Sequence, residues 1–194
     1  TRHASSRAHA ASGKRKTGAR RVAQAGSELT IELLRRGTTI RQRPGESDEA
    51  FLEKVTSLSL HSKRIDKVAH LHLCAQLRVL FLYNNLLTSM ENINAARNLT
   101  HLYLENNRIE RMSSLNGLRS LVKLSLDGNR ISYVEGLEGC FSLQELHLNN
   151  QRLPANEPLR FDIASLDAIS ESLLVLTVRN TKMQEVGALA CLAN

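Results

Sequence analysis

The feature that most constrains this chain is a leucine pattern returning every 22 residues. Leu58-Ser59-Leu60, Leu80-Phe81-Leu82, Leu102-Tyr103-Leu104, Leu124-Ser125-Leu126 and Leu146-His147-Leu148 keep that interval, and Leu176-Thr177-Val178 follows after 30. Three further apolar columns keep step. Val55, Leu77, Leu99, Leu121, Leu143 and Leu173 precede the triplets; Ile65, Leu87, Ile109, Ile131, Leu153 and Met183 follow them; Leu71, Ile93, Leu115, Leu137, Leu159 and Leu189 close each unit. Such an array cannot bury its apolar face one unit at a time, so neighbours must stack. The alternation inside each triplet reads as a short strand with both leucines inward, and stacking then gives a parallel sheet. The expected fold is an α/β solenoid over residues 56–194, a horseshoe whose concave wall is that sheet.

Asn85, Asn107 and Asn129 recur five residues after the first leucine of their triplets. A buried amide there would bond backbone groups left unpaired where the strand ends. Lys63, Gln151 and Thr181 take the place elsewhere, so the ladder is expected to weaken at both ends. The fifth unit carries eight additional residues, with Pro154 and Pro158, then Asp162 as the cap of a short outer helix placing Ile163, Leu166, Ile169 and Leu173 inward. Ahead of the repeats, Ser27–Arg36 and Ser47–Val55 read as two helices, a cap over residues 27–55. No matching polar cap follows Leu192, so the C-terminus of the repeat domain is expected to be incomplete.

Leucine supplies 33 of the 194 residues, tryptophan is absent and only seven aromatics are present. Hydrophobic residues at 42% and charged ones at 23% exclude wholesale disorder. No apolar run is long enough for a membrane helix, and three cysteines make a disulfide framework improbable, which points to a reducing compartment. The net charge of +7 is carried entirely by residues 1–26, where Arg2, Arg7, Lys14, Arg15, Lys16, Arg20 and Arg21 meet no acidic residue. This segment reads as a basic extended tail that seeks an acidic surface: tubulin, nucleic acid or anionic lipid.

The unit Leu99-Thr-His-Leu-Tyr-Leu-Glu-Asn-Asn-Arg-Ile109 resembles the class of leucine-rich repeats named after a yeast phosphatase-1 regulator, over about residues 52–194. The run from Asn150 to Asp162, with Val134-Glu-Gly-Leu-Glu138 before it, is similar to testis leucine-rich repeat proteins of the phosphatase 1 regulatory-subunit kind. The resemblance implies a non-enzymatic adaptor of the cytoplasm and cytoskeleton, associated with phosphatase 1 and with basal bodies, cilia or flagella. No basic-Val-x-Phe docking motif is present, and Arg20-Arg-Val-Ala-Gln24 lacks the aromatic.

Residues between the inward leucines face the concave side. Phe81, Tyr83 and Tyr103, with His101 beside them, are expected to form an exposed aromatic patch for a protein partner. Glu105, Lys123, Asp127 and Glu145 rim it, and His147 and Arg179 extend the surface. Metal, cofactor and catalysis are not expected. His70 and His72 flank Leu71 near Cys74, but Cys74 shares a core column with Ala96, Leu118, Cys140 and Leu192. His101, Asp127 and His147 lie on an open surface without a nucleophile or phosphate loop. Asn98-Leu99-Thr100 matches a glycosylation sequon around a core leucine and is read as accidental. The expected function is a non-enzymatic cytoskeletal scaffold, gripping a protein on its concave face and anchored by its tail to a microtubule-based assembly, with tubulin or dynein-associated partners. The alternatives are a phosphatase 1 subunit and a ribonucleoprotein subunit; the tail lacks the aromatics that nucleic acid would favour.

Overall fold

Inward leucines on consecutive strands can close a core only if the strands stand in register, and they do. In the computed structural model, which describes residues 26–183 and 187–192, Leu58, Leu80, Leu102, Leu124, Leu146 and Leu176 lie side by side. The chain begins with β1 (Ser27–Glu28), α1 (Ile31–Arg36) and α2 (Asp48–Leu52), then β2 (Ser57–Ser59), β3 (Ile65–Lys67), β4 (Val79–Phe81), β5 (His101–Tyr103) and β6 (Lys123–Ser125). It continues through β7 (Tyr133–Val134), β8 (Glu145–His147), β9 (Arg160–Phe161), α3 (Ile163–Asp167) and β10 (Val175–Thr177). Six strands form one parallel sheet in the order β10-β8-β6-β5-β4-β2. The seven tail cations, Arg2, Arg7, Lys14, Arg15, Lys16, Arg20 and Arg21, lie outside the described residues.

Each unit leaves its strand through a residue in the left-handed region: Ser62, Asn84, Asn106, Gly128, Asn150 and Asn180. Asparagine tolerates that conformation better than most residues, which explains the recurring Asn-Asn pairs. The residue after the turn points inward. Asn107 is 1% exposed; its Nδ2 donates to the carbonyls of Leu82 and Leu104, both at 3.0 Å, and its Oδ1 accepts from the Leu87 amide at 3.1 Å. Asn129 repeats this one unit on. Gln151 does not weaken the ladder as expected. Its Nε2 donates to Leu126 and Leu148, and its Oε1 accepts from Ile131 at 2.9 Å, because one more methylene still carries both a donor and an acceptor. Thr181 lacks the second polar atom and keeps one bond, to Val178 at 2.7 Å.

Before the sheet, the first expected helix is split. Ser27–Glu28 pairs with β3 as a strand, and α1 starts only after Thr30, whose hydroxyl accepts from the Leu33 amide. Ser47 caps α2 in the same way through Ala50, and Leu29, Leu34, Phe51 and Leu52 join the buried core. The Gly37 carbonyl accepts from the Ser59 amide, so the outer edge of β2 is partly occupied.

The eight additional residues change the register. Arg160 pairs with Tyr133 and Phe161 with Val134, which sets Leu159 beside Ser132 rather than in the Leu137 column, although it is buried. Asp162 caps α3 through the Ser165 amide at 2.9 Å, as expected. Leu166 and Ile169 are buried, but Ile163 is 65% exposed, contrary to expectation, because α3 is one short turn and cannot bury four apolar positions. In the last unit Leu173, Leu176, Val178, Met183 and Leu189 are only half-buried, whereas their counterparts in the middle units are fully enclosed.

Candidate functional site

The three-residue strands aim their outer two side chains into the concavity, and parallel registry stacks like positions one strand spacing apart, about 4.8 Å. Rings at such positions must meet face to face. Phe81 stacks on Tyr103 with centroids 4.8 Å apart and planes 14° apart, and Tyr83 stacks on His61 at 4.6 Å and 4°. Phe81 meets Tyr83 edge-on at 6.4 Å, and His101 lies near-parallel to Tyr103 at 6.5 Å. The five rings form one continuous ladder across the first three units. Reading the sequence alone leaves His61 out, although its place in the Tyr83 column was visible. Each ring spends part of its surface on a neighbour, so Phe81, Tyr83, His101 and Tyr103 are half-buried.

The polar residues divide into two groups. Lys123 Nζ donates to Glu145 Oε2 at 2.5 Å, and His147 Nε2 lies 3.2 Å from the same oxygen. The Lys123 hydrogen bond, with His147 second, holds the Glu145 carboxyl below the usual carboxylate range, while Glu145 raises Lys123. Asp127 accepts from the Asn149 amide at 2.7 Å and from its side chain at 3.1 Å; Asn149 in turn donates to Thr177 at 2.7 Å and accepts from the Arg179 amide at 2.8 Å. His147 Nδ1 is 3.0 Å from the Thr177 hydroxyl, and His101 Nδ1 is 2.9 Å from that of Thr100. Glu105 differs: its Oε2 is shielded from solvent and has no hydrogen-bond partner. The concave wall is thus apolar and aromatic at one end and knitted by hydrogen bonds at the other.

His101, Asp127 and His147 do not converge, since each is bonded to a different scaffold group. Among the described residues no group of three His, Cys, Asp or Glu side chains could hold a metal. Cys74 and Cys140 are core residues, and burial pushes their thiols up to about 11 and about 12. The Asn98 side chain donates to the Ala75 carbonyl at 2.7 Å, with Leu99 fully buried beside it. No helix among the described residues is long and apolar enough to cross a membrane.

The family described as Leucine Rich repeats (2 copies) matches residues 75–119 and 97–139. An internalin (inlF) from Listeria monocytogenes is similar in structure, with 25% identity and a TM-score of 0.68, covering 84% of this chain and 46% of that one. A leucine-rich repeat protein of Leptospira interrogans gives 21% identity and a TM-score of 0.60, over 74% and 37% of the two chains. The ectodomain of the Arabidopsis thaliana membrane receptor kinase GASSHO1/SCHENGEN3, in complex with Casparian strip integrity factor 2, gives 21% and 0.54, over 79% and 20%. The chain spans less than half the length of each of these solved relatives.

Proposed function

We propose that the chain, a leucine-rich repeat protein, is a protein-binding scaffold that grips a partner segment on the ring-lined part of its concave sheet. The ladder His61–Tyr83–Phe81–Tyr103–His101 carries this reading. Repeat arrays of this kind bind partners along the concave surface, and aromatic anchors supply most of the energy at such interfaces. Five of the chain's rings and imidazoles gathered on an otherwise polar wall are poor choices for solubility and good ones for recognition. The plant receptor ectodomain, of similar fold, was solved in complex with Casparian strip integrity factor 2.

The finer reading places the scaffold in the cytoplasm, in a microtubule-based assembly such as a cilium, flagellum, axoneme or basal body. Tubulin or dynein-associated proteins would be its partners, and the cations Arg2 to Arg21 a second, acid-seeking contact. Its support is the run of seven cations without an acid and the similarity of the Asn150–Asp162 region to testis proteins of this class. Two linked contacts reinforce each other, because tethering raises the effective concentration at the second. A second reading, regulation of phosphatase 1, rests on the same similarity.

The test is a pull-down from ciliated cells with the full chain and with a Phe81→Ala, Tyr83→Ala, Tyr103→Ala variant of unchanged circular dichroism. Loss of the co-purified proteins is expected, and their retention refutes the concave site. Replacing the seven tail cations by Gln should weaken microtubule co-sedimentation; unaltered sedimentation removes the tail's role. Phosphatase activity in the wild-type eluate would favour the second reading.

A further inference from the structure

A second ordered array stands on the rim of the sheet and goes beyond the concave reading. Six residues after the first leucine of each triplet stand Arg64, Leu86, Arg108, Arg130, Arg152 and Lys182, and all but Leu86 are exposed. The position lies between the inward amide of the Asn ladder and the inward Ile or Leu that follows, so alternation turns it outward. Its spacing is fixed by the backbone. The amides of Arg108, Arg130 and Arg152 each donate to a carbonyl of the preceding unit, those of Leu87, Ile109 and Asn129, at 2.7–2.9 Å. The cations therefore rise one per unit along a single edge.

Glu91, Glu110, Glu135 and Glu157 line the same hollow as Arg130 and Arg152, but of these only Glu110 comes within ion-pair distance of a rim cation. Arg130 lies 3.5 Å from Glu110, with both side chains largely in solvent, a contact worth little. Arg152 Nη2 donates at 3.3 Å to the neutral amide oxygen of Asn106, two units away, across Gly128. A Cβ at Gly128 would come within 2.5 Å of that oxygen, so the missing side chain is what lets them meet. Lys182 Nζ donates to the carbonyls of Pro154 and Ala155. Among the described residues Arg108, Arg152 and Lys182 have no carboxylate partner. Beside them runs a parallel row of amides, Asn84, Asn106, Asn150 and Asn180, able to donate further hydrogen bonds.

The first described residues lie beside this rim. Gly26 lines the same hollow as Asp66, Lys67, Glu91 and Arg108, and the Ser27 amide donates to the Arg64 carbonyl at 3.1 Å. We infer that this rim, centred on Arg108, Arg130 and Arg152, is a docking surface for an acidic protein segment. Guanidinium groups pair bidentately with carboxylates, and a regular row of them matches a run of Asp and Glu side chains. Single-stranded nucleic acid fits less well, since it needs successive rings for base stacking. Among the described residues lining the hollow of Arg130 and Arg152, Tyr133 is the one aromatic ring, and its hydroxyl donates to Asp162.

The experiment measures fluorescence anisotropy of labelled poly-L-glutamate against the full chain over a salt series. The variant Arg108→Glu, Arg130→Glu, Arg152→Glu should bind about tenfold more weakly and with a shallower salt slope. A matched variant at other exposed arginines, Arg41→Glu, Arg97→Glu, Arg119→Glu, should stay within about twofold of the native chain. Circular dichroism confirms that both variants fold. Equal losses in the two variants would reduce the effect to net charge and overturn the site, as would unchanged binding by the first. Tighter, rim-dependent binding of labelled oligouridylate would overturn the acidic-peptide assignment. The Phe81, Tyr83, Tyr103 variant should bind poly-L-glutamate normally, which separates failure at this rim from failure of the concave site.

Discussion

Replacing Asn129 by alanine removes a side chain that is fully buried and makes three bonds. The Ile109 amide at 3.1 Å loses its acceptor, whereas the carbonyls of Leu104 and Leu126 lose one of two donors and keep Asn107 Nδ2 at 3.0 Å and Gln151 Nε2 at 2.9 Å. That one backbone amide orphaned away from water costs about 1–3 kcal/mol. The expected loss is about 2 kcal/mol, a large share of the stability of a small domain. Urea unfolding followed by circular dichroism reads it as a lower midpoint at unchanged slope. The control is Asn116→Ala, which removes only an exposed contact at 3.2 Å from Asn94 and should cost less than about 0.5 kcal/mol. A loss below about 1 kcal/mol at Asn129 would refute the reasoning, because it would mean that the amide ladder is not what satisfies the strand ends.

Two further outcomes follow from the titrating groups. The Glu145 carboxyl is held low by Lys123, with His147 second, so its contribution is present above the ordinary carboxylate range and lost as pH falls through the depressed folded value. Glu145→Gln should therefore flatten the acid limb of melting temperature against pH between about 5 and 3, and an unchanged limb would contradict the ion pair. Burial raises Cys74 to about 11 and Cys140 to about 12 from an ordinary 9.0, so both thiols stay protonated when folded. Their contribution to stability is complete below the ordinary value and is lost as pH rises towards the folded ones. At about pH 8 iodoacetamide should label them only as fast as the chain unfolds, and rapid labelling by mass spectrometry would show them accessible.

The strand positions were legible because Leu58 to Leu176 repeat both their interval and their alternation, and one stacked geometry satisfies both. Asn107 and Asn129 were legible because a carboxamide carries two donor hydrogens and an acceptor oxygen on separate atoms, which is what the strand end requires. The strength of Gln151 was missed by equating residue identity with function. Leu159 shows why irregular units resist such reading: an insertion displaces every later position by an amount only backbone pairing reveals. The concave members Phe81, Tyr83, His101 and Tyr103 could be placed on one face, but not their mutual stacking, which depends on side-chain torsions. Pairings such as Lys123 with Glu145 follow from strand order once it is known. The rim cations stood in plain view as a column; a sum of charge over the whole body, which comes to zero, concealed them.

Each amide of the inner ladder serves a carbonyl on its own turn and both a carbonyl and an amide on the turn before it, so this ladder sews a turn only to its neighbours. Length is consequently a free parameter. Copying one whole turn adds reach, and a further step of rim and wall, without disturbing any seam already made, whereas deleting one residue would misalign every stitch beyond it.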